Sequence, residues 1–407
     1  MKVCQIIFTF PPHALGGADI YAHHISMGLK DAGHEVTVIT TRLYDGPGSL
    51  KPRVEYIDGI KAYRFYPLNV YTWIDPARSL IKKLVWHTLD LWNPHPYLVI
   101  RDILKKERPD VVHIHTPIWL SMSIFSAVKS LNIPAVFSLH DSYLVCRKGT
   151  LIHGNGRACT DPRFVCRIYR WYTRRLVNAS VDVTAAPSNF ILSSLANKGY
   201  FNGLESQVIP LGMELKGEKP RKSYDPIHII YVGATLELKG LFVLIGAFKK
   251  LKHDSLILDI VGRGADLERL VQLANGDGRI IFHGFRSGME LDRLWDRANI
   301  TVLPSLGPET FGVAIVESFS HATPAIVSRI GAYPELIEAG TNGFLFEPGN
   351  VSQLADILEK TINDLPLLKR LEEGAFASAK KYGLKGHVAK LENCYTRAID
   401  RRFNSSR

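Results

Sequence analysis

Residues 304–328 read PSLGPETFGVAIVESFSHATPAIVS and carry two carboxylates, Glu309 and Glu317, eight residues apart around a Phe311-Gly312 turn. The residues after Gly312 are apolar or small, which predicts a helix whose first turns pack against a sheet and which carries Glu317 about two turns in. A helix that begins at glycine offers unpaired N–H groups and the positive end of its dipole, and both favour phosphate. Phosphate donors between two hydroxyl-binding carboxylates suit a sugar nucleotide. The alternative is an ordinary strand, loop and helix with two solvated glutamates.

Strand-like and helical segments alternate on both sides of this stretch, which predicts parallel sheets with crossover helices. In the first half, the expected strands are Val3–Phe8, Glu35–Thr40, Val111–His115, Ala135–Leu139, Val181–Ala185 and Gln207–Ile209. In the second half, they are Ile227–Val232, Leu256–Val261, Arg279–His283, Ile300–Leu303 and Ala325–Ser328. A chain of 407 residues exceeds one typical domain, so we expect two doubly wound α/β domains joined by the polar segment 212–225.

Composition narrows the class of protein further. No apolar run approaches the ~18–20 residues of a spanning helix, and two prolines stop the opening run MKVCQIIFTFPPH, so we expect a first strand rather than a signal peptide. The chain is therefore expected to be cytoplasmic. The net charge of +11 is concentrated in residues 1–212, which hold 24 basic and 15 acidic side chains. This excess predicts an anionic partner for the first half, such as a membrane surface or a lipid-linked phosphate.

The spacing from Glu309 to Glu317 resembles the E-x7-E motif of retaining glycosyltransferases of family 4, and the similarity extends over most of the chain. The resemblance implies the GT-B fold, in which two Rossmann-like domains face a central cleft. It implies an acceptor-binding domain over residues 1–212, with the C-terminal helix 385–407 packing back on it, and a nucleotide-sugar-binding domain over 213–384.

By the same resemblance, the chain is expected to transfer a hexose, with retention, from a nucleoside diphosphate sugar to a sugar or lipid-linked acceptor in cell-surface glycan biosynthesis. Glu309 would orient the sugar, and Glu317 would hold the ribose hydroxyls. Backbone groups at Phe311 and Gly312 would bind phosphate.

Two further segments carry the resemblance. The first strand ends in FPPHALGGAD, where Gly16 and Gly17 let the backbone approach a phosphate, and the family closes this loop over the donor or the acceptor. The next family position is often Glu and here is Asp19. The loop lacks the G-x-G-x-x-G spacing of dehydrogenases.

After the strand Ile227–Val232, the segment GATLELKG places Gly233 at the strand end and Lys239 within reach of a diphosphate. The family usually has arginine directly after this glycine, and here the residue is Ala234. This departure leaves open a second class of function, a non-catalytic nucleotide-sugar-binding subunit. Arg263 or Arg286 could supply the missing charge.

The loops at the ends of two later strands, with Gly262, Arg263 and Phe285, are expected by resemblance to line the nucleoside pocket, although Phe285 could equally be a core aromatic. In VFSLHDSY, His140 stands where the family has its active-site histidine. His113 and His115 lie on the preceding strand, where we expect only one of them to face a cleft and both to be structural.

Stabilisation of the departing diphosphate is the main requirement for this chemistry, and Lys239 with backbone N–H groups would supply it. The sequence contains no D-x-D pair, so no catalytic divalent ion is expected. Cys146, His153, Cys159 and Cys166 form a candidate structural zinc site. Their spacing lacks C-x-x-C, and separate thiols are the alternative.

Residues 163–175 (RFVCRIYRWYTRR) and 79–92 (SLIKKLVWHTLDLW) are amphipathic segments that combine cations with aromatics. Such helices can lie on an anionic membrane, and the alternative is ordinary packing against a core. We therefore expect a protein that is peripheral on the inner face of the cell membrane. Nucleic-acid binding is not expected, because no recognised binding motif accompanies the charge.

Overall fold

The computed structural model describes residues 1–13, 16–70, 79–147, 149, 159, 162–253 and 255–404. The chain divides into two compact units. The first holds the described residues up to Met213 together with the C-terminal helix from Leu384, and the second runs from Glu214 to Gly383. No helix in the described ranges is long and apolar enough to cross a membrane.

The first unit is built on an eight-stranded sheet. Its strands are β1 Lys2–Ile6, β2 Glu35–Thr41, β3 Arg53–Ile57, β4 Ile60–Phe65, β5 Val111–Ile114, β6 Ala135–Ser138, β7 Val183–Ala186 and β8 Glu205–Val208. Their order across the sheet is β3-β4-β2-β1-β5-β6-β7-β8. All neighbours are parallel except β3 and β4. The helices between them are α1 Gly17–Asp31, α2 Leu80–Leu91, α3 Pro94–Glu107, α4 Ser123–Ser130, α5 Phe164–Ser180 and α6 Asn189–Ala196.

The second unit has a six-stranded, fully parallel sheet. Its strands are β9 Ile227–Val232, β10 Leu256–Val261, β11 Ile280–Gly284, β12 Ile300–Leu303, β13 Ala325–Ser328 and β14 Gly343–Phe346. Their order is β11-β10-β9-β12-β13-β14, so the direction of winding reverses between β9 and β12. The helices of this unit are α7 Leu241–Phe248, α8 Leu267–Ala274, α9 Met289–Arg297, α10 Val313–Ser320, α11 Tyr333–Leu336, α12 Val351–Asn363 and α13 Leu365–Ala379. Ligands of doubly wound sheets bind where the winding reverses, at the carboxyl ends of the strands.

The sequence prediction omitted three strands, β3, β4 and β14. Strands β3 and β4 form an antiparallel hairpin whose turn residues, Asp58 and Gly59, both have positive φ. An Asp-Gly pair between strand-like runs is a recognised hairpin signal. Strand β3 is a polar edge strand, and β14 is a short edge strand that begins with glycine, so neither shows the long apolar run typical of buried parallel strands.

The C-terminal helix α14, Leu384–Asn404, packs against α1 and strands β5, β6 and β7 of the first unit. Gly28 on α1 allows this close approach, because a Cβ there would lie 2.7 Å from the Val388 side chain. The helix therefore contributes side chains to the carboxyl ends of the first sheet.

Candidate active site

An ion pair occupies the point in the second unit where the winding reverses. Lys239 follows β9, Glu309 follows the neighbouring strand β12, and Lys239 Nζ donates to Glu309 Oε1 at 2.7 Å. Ser305 Oγ donates to the same carboxylate oxygen, also at 2.7 Å. Adjacent parallel strands thus bring together two residues that are 70 positions apart in sequence. The arrangement holds a cation and a carboxylate at the sheet edge where ligands of this fold bind.

Backbone contacts pin the loops that carry this pair. The short 3₁₀ turn Glu237–Lys239 ends at Gly240, which has a φ of +73°, and a Cβ at Gly240 would lie 1.8 Å from the carbonyl oxygen of Pro304. Leu306 N donates to the carbonyl of Leu238 at 2.8 Å. Only glycine permits this approach, because both the positive φ and the lack of space exclude a side chain.

The Glu309 backbone is held from the other side. Its carbonyl accepts a hydrogen bond from Ala332 N at 2.9 Å, and a Cβ at Gly331 would lie 2.4 Å from the Glu309 backbone. Burial, with a further contribution from the Glu309 charge, raises the pKa of the Tyr333 hydroxyl well above its usual range. The carboxylate therefore sits in a preorganised loop beside neutral hydroxyls.

Helix α10 begins at Gly312, whose φ of 142° excludes other residues. Gly312 O accepts from the amides of Ile315 and Val316, which leaves the amides of Val313 and Ala314 without a partner within the helix. The Phe311 ring is buried and lies 6.1 Å from the Tyr382 ring, so the side chain of Phe311 has a packing role. Any contact with phosphate at this position falls to the backbone, as the sequence prediction has it.

Glu317 is the fifth residue of α10, just over one turn from its start, so the expected distance of two turns was too long. Burial raises the pKa of its carboxyl to about 7, and the Asp292 carboxylate adds to the effect. No described residue donates a hydrogen bond to this carboxyl. A half-buried acid that accepts no hydrogen bond is costly, and such groups are often found at functional sites.

Gly233 and Gly262 bring the ends of β9 and β10 into contact. Gly262 has a φ of 142°, and a Cβ there would lie 1.8 Å from the Gly233 carbonyl oxygen. Its own N–H donates to the Gly284 carbonyl at 2.8 Å. Gly262 is therefore required by the backbone packing of this edge, whatever ligand binds there, whereas a Cβ at Gly233 would meet only the Tyr231 side chain, with its hydroxyl at 2.8 Å.

Phe285 is 58% exposed, which excludes the alternative that it is a core aromatic. The Arg263 guanidinium lies over its ring at 5.0 Å, a cation–π contact. Arg286 donates to the Phe285 carbonyl at 3.1 Å and pairs with Glu290 at 3.6 Å. Both arginines that could replace the family's cation at Ala234 thus contact other residues of the second unit: Arg263 contacts Phe285, and Arg286 contacts Phe285 and Glu290.

A chain of hydrogen bonds in the first unit runs from Gln5 through His115 to His140. Gln5 Oε1 lies 3.0 Å from His115 Nε2, and His115 Nδ1 lies 3.1 Å from His140 Nε2. Because the amide oxygen can only accept, His115 carries its proton on Nε2 and accepts from His140 Nε2–H. Burial, with a contribution from His387, lowers the pKa of His140 to about 4. The neutral His140 ring therefore presents Nδ1 as a hydrogen-bond acceptor.

His113 and His115 were expected to point to opposite sides of their strand, so that only one could face a cleft, and this premise was wrong. Residues i and i+2 of a strand point to the same side, and here both side chains are buried with ring centroids 4.1 Å apart. His113 bonds Tyr395 at 2.8 Å and Ser138 at 2.7 Å, so it links α14 to β6.

Sequence reasoning missed Tyr21 and His387. The Tyr21 hydroxyl lies 2.7 Å from His387 Nε2, and its ring packs edge-on against His140 at 5.2 Å. The other His387 nitrogen bonds the Pro210 carbonyl at 2.9 Å. These partners are up to 366 positions apart, and no local pattern connects them. Only the return of α14 brings them together.

The glycine loop before α1 is held by Asp19. Its Oδ2 accepts from Gly16 N at 3.1 Å and from Thr9 Oγ1 at 2.5 Å. The Gly16 amide is therefore engaged by the chain itself, whereas Gly17 begins the helix. Ala14 and Leu15 lie outside the described residues.

Two family models match the chain. The family described as Glycosyl transferases group 1 matches residues 213–378, and Glycosyltransferase Family 4 matches residues 15–216. The chain belongs to the family 4, group 1 glycosyltransferases.

Relatives and solved structures agree with this family. An uncharacterized glycosyltransferase of Methanocaldococcus jannaschii is 26% identical and covers 98% of this chain and 99% of its own length. An MMP alpha-(1->4)-mannosyltransferase of Mycolicibacterium hassiacum is 25% identical, with 98% and 99% covered. Anabaena HepE in complex with UDP has a TM-score of 0.72 at 18% identity, covering 97% of this chain and all of that one. The last similarity shows the fold alone, and it confirms the predicted GT-B architecture.

The described part of this glycosyltransferase contains no group of three or more metal-ligating side chains that could hold a metal ion. His153, one of the four residues of the candidate zinc site, lies outside the described residues, so that site stays a prediction. Cys146, Cys159 and Cys166 are partly buried.

Proposed function

We propose that this glycosyltransferase moves a hexose, with retention, from a nucleoside diphosphate sugar to a sugar or lipid-linked acceptor in cell-surface glycan biosynthesis. One observation carries the proposal: the Lys239–Glu309 pair stands at the reversal point of the second sheet. The unpaired carboxyl of Glu317 on α10 supports it.

The second unit would bind the donor. The Lys239 ammonium has three N–H donors, of which Glu309 takes one, so two remain for diphosphate oxygens. The amides that open α10 would add to this anion site. Ribose hydroxyls would donate to Glu317, and the nucleoside would lie near Gly233, Gly262, Arg263 and Phe285. The complex of HepE with UDP and the mannosyltransferase named above support a nucleotide-sugar donor.

In the proposed reaction, the bond from the anomeric carbon to the diphosphate oxygen breaks, and a bond to the acceptor oxygen forms on the same face of the sugar. The acceptor proton passes to an oxygen of the departing diphosphate. Negative charge develops on that group, and Lys239 with the backbone amides would stabilise it without reorganisation. Glu309 would orient the sugar and stabilise positive charge at the anomeric centre. No step requires a metal ion.

The first unit would bind the acceptor. Neutral His140, oriented by His115 and Gln5, would accept a hydrogen bond from an acceptor hydroxyl through Nδ1. Gly16 and Gly17 would approach the substrate as backbone. The first half of the chain has an excess of basic residues, and a lipid-linked acceptor would lie in a membrane. Both favour a protein that lies on the inner face of the cell membrane.

The test combines binding with transfer. UDP-, GDP- and ADP-sugars are screened for thermal protection of the wild type, and the protective donor is used in a radiolabel-transfer assay, with NMR of the product's anomeric proton. Wild type, Glu309→Gln and the exposed control Glu338→Gln are compared. The proposal expects transfer with retention by wild type and control, and binding without transfer by Glu309→Gln.

Two other outcomes separate the alternatives. Binding of the donor without transfer by the wild type, over a broad acceptor panel, would establish the non-catalytic subunit instead. Absence of protection by every sugar nucleotide would overturn both, and an inverted product would overturn retention.

A further inference from the structure

Helix α5 exposes an apolar stripe on the side opposite to its packed face. Phe164, Ile168 and Trp171 are 73%, 50% and 51% exposed. At 100° per residue, they lie within a sector of about 60°. The buried residues of the helix lie on the opposite side: Tyr169, Thr173, Val177 and Ser180. The stripe therefore packs against nothing in the described part of its unit, and the alternative of an ordinary core-packed helix accounts for only the other face.

Cations flank this stripe. Arg163 and Arg167 are exposed on one side of it, and the Arg175 guanidinium lies 5.0 Å over the Trp171 ring. Helix α5 has no acidic residue. Its outer surface is therefore both apolar and purely cationic, as in helices that lie in a membrane interface.

Helix α2 repeats this combination. Ile81 and Leu84 are 77% and 67% exposed, and Lys82 and Lys83 are exposed between them. The helix has one acidic residue, Asp90, which is buried. Its first half thus exposes apolar and basic side chains only, among the residues described.

One hydrogen-bonded loop joins the two helices. The Tyr143 hydroxyl donates to Asp90 on α2, and the Tyr143 carbonyl accepts from the Tyr169 hydroxyl on α5 at 2.7 Å. Tyr143 and its neighbours Leu144 and Val145 are buried. Hydrogen bonds to one buried residue, Tyr143, therefore connect the two helices.

We infer that these surfaces form one docking face for an anionic lipid bilayer. The docking face consists of Ile81, Lys82, Lys83, Leu84, Arg163, Phe164, Arg167, Ile168 and Trp171. Charge complementarity selects this occupant, because cations that flank inserted apolar side chains match acidic headgroups over acyl chains. A second copy of the chain would bring cations against cations. The aliphatic side chains at the centre have no counterpart on a nucleic-acid backbone.

The inference deepens the proposed function and rests on it, because only a lipid-linked acceptor gives membrane docking a purpose. A bilayer-bound first unit would meet acceptors whose lipid tail stays in the membrane. It requires no transfer of sugar for its own test. Docking would supply binding energy through the apolar side chains and selectivity through the cations.

The test is flotation of the full chain with vesicles of equimolar phosphatidylglycerol and phosphatidylcholine, against phosphatidylcholine alone. The apolar variant is Ile168→Ser with Trp171→Ser, and the charge variant is Lys82→Gln with Lys83→Gln and Arg167→Gln. Matched controls from exposed positions of the second unit are Met289→Ser with Val271→Ser, and Arg293→Gln with Lys360→Gln and Arg370→Gln. Melting curves verify folding, which exposed substitutions rarely affect.

We expect wild type and controls to float with the anionic vesicles only. The apolar variant should bind on the order of tenfold or more weakly, and the charge variant about fivefold more weakly per cation. Wild type that stays unbound, or a folded apolar variant that floats like wild type, would overturn the inference. So would a dimer that dissociates in the apolar variant without vesicle binding, since the face would then join two copies. Donor protection measured on the same samples is independent of flotation. Wild type that is protected by a donor but does not float refutes docking alone, and wild type that floats but is protected by no donor refutes the proposed function alone.

Discussion

Replacement of Glu317 by glutamine should stabilise the ligand-free protein at alkaline pH and weaken donor binding. Burial and the Asp292 carboxylate raise the pKa of Glu317 from 4.5 to about 7. The ordinary value applies to the unfolded chain. Between these two pH values, the folded chain keeps a proton that the unfolded chain has lost. Stability therefore falls as the pH rises through this window, and the contribution is fully lost above the folded pKa.

The size of the effect follows from the same displacement. At about 1.4 kcal/mol per tenfold change, the charged carboxylate of Glu317 costs the native state about 3 kcal/mol at pH 8. Glutamine keeps the shape and carries no charge, and no described residue donates to the carboxyl that it replaces. For a unit of this size, the melting temperature of Glu317→Gln should rise by about 6–12 °C at pH 8.

The assay compares thermal unfolding of wild type and Glu317→Gln at about pH 8 and about pH 4, without nucleotide. Glu290→Gln, at an exposed position on the neighbouring helix α9, serves as the control. The gain should appear at the higher pH only, should vanish at the lower pH, and should be absent from the control. A gain of equal size at both pH values, or a loss at pH 8, would refute the reasoning. Weaker protection of the variant by the donor would support the ribose contact separately.

Three further predictions concern the two units. Lys239→Met should lower kcat about 10²–10³-fold, because it removes a cation from the leaving group. The partly exposed ion pair with Glu309 contributes under ~1 kcal/mol to stability, so the variant should stay folded. Lys250→Met is the control, and a kcat of Lys239→Met near that of wild type would contradict the role. His140→Ala should lower kcat by about 10²-fold. Because the pKa of His140 is about 4 in the fold, wild type and variant should have pH–rate profiles of the same shape between about pH 6 and 8. An inflection that is present in wild type and lost in the variant would argue against a neutral ring. Gly240→Ala should destabilise the fold by several kcal/mol, against about 1 kcal/mol for Gly276→Ala. Both glycines have φ near +70°, but only at Gly240 would the added Cβ lie 1.8 Å from a carbonyl oxygen. Equal urea midpoints of the two variants would exclude the steric explanation.

The sequence was sufficient for the fold class and for most strands of both sheets. Buried parallel strands such as Ile227–Val232 and Ile300–Leu303 are continuous apolar runs, so their limits are visible locally. Of the strands that escaped prediction, β3 is interrupted by charged residues and β14 is short, so neither shows a long apolar run. The donor-side candidates around Gly312 were also visible, because a glycine that opens a helix and two glutamates at fixed spacing are local features.

What the sequence alone determined is therefore the alternation of strands and helices, the family, and the residues near each strand end. Tertiary structure decided which of those residues meet. The contact of Lys239 with Glu309 depends on strand order, and the link from His140 through Tyr21 to His387 depends on the return of α14. The physical reason is that hydrogen bonds, burial and pKa values depend on distances in space. Local sequence patterns report the path of the backbone, whereas those distances arise only when remote segments pack.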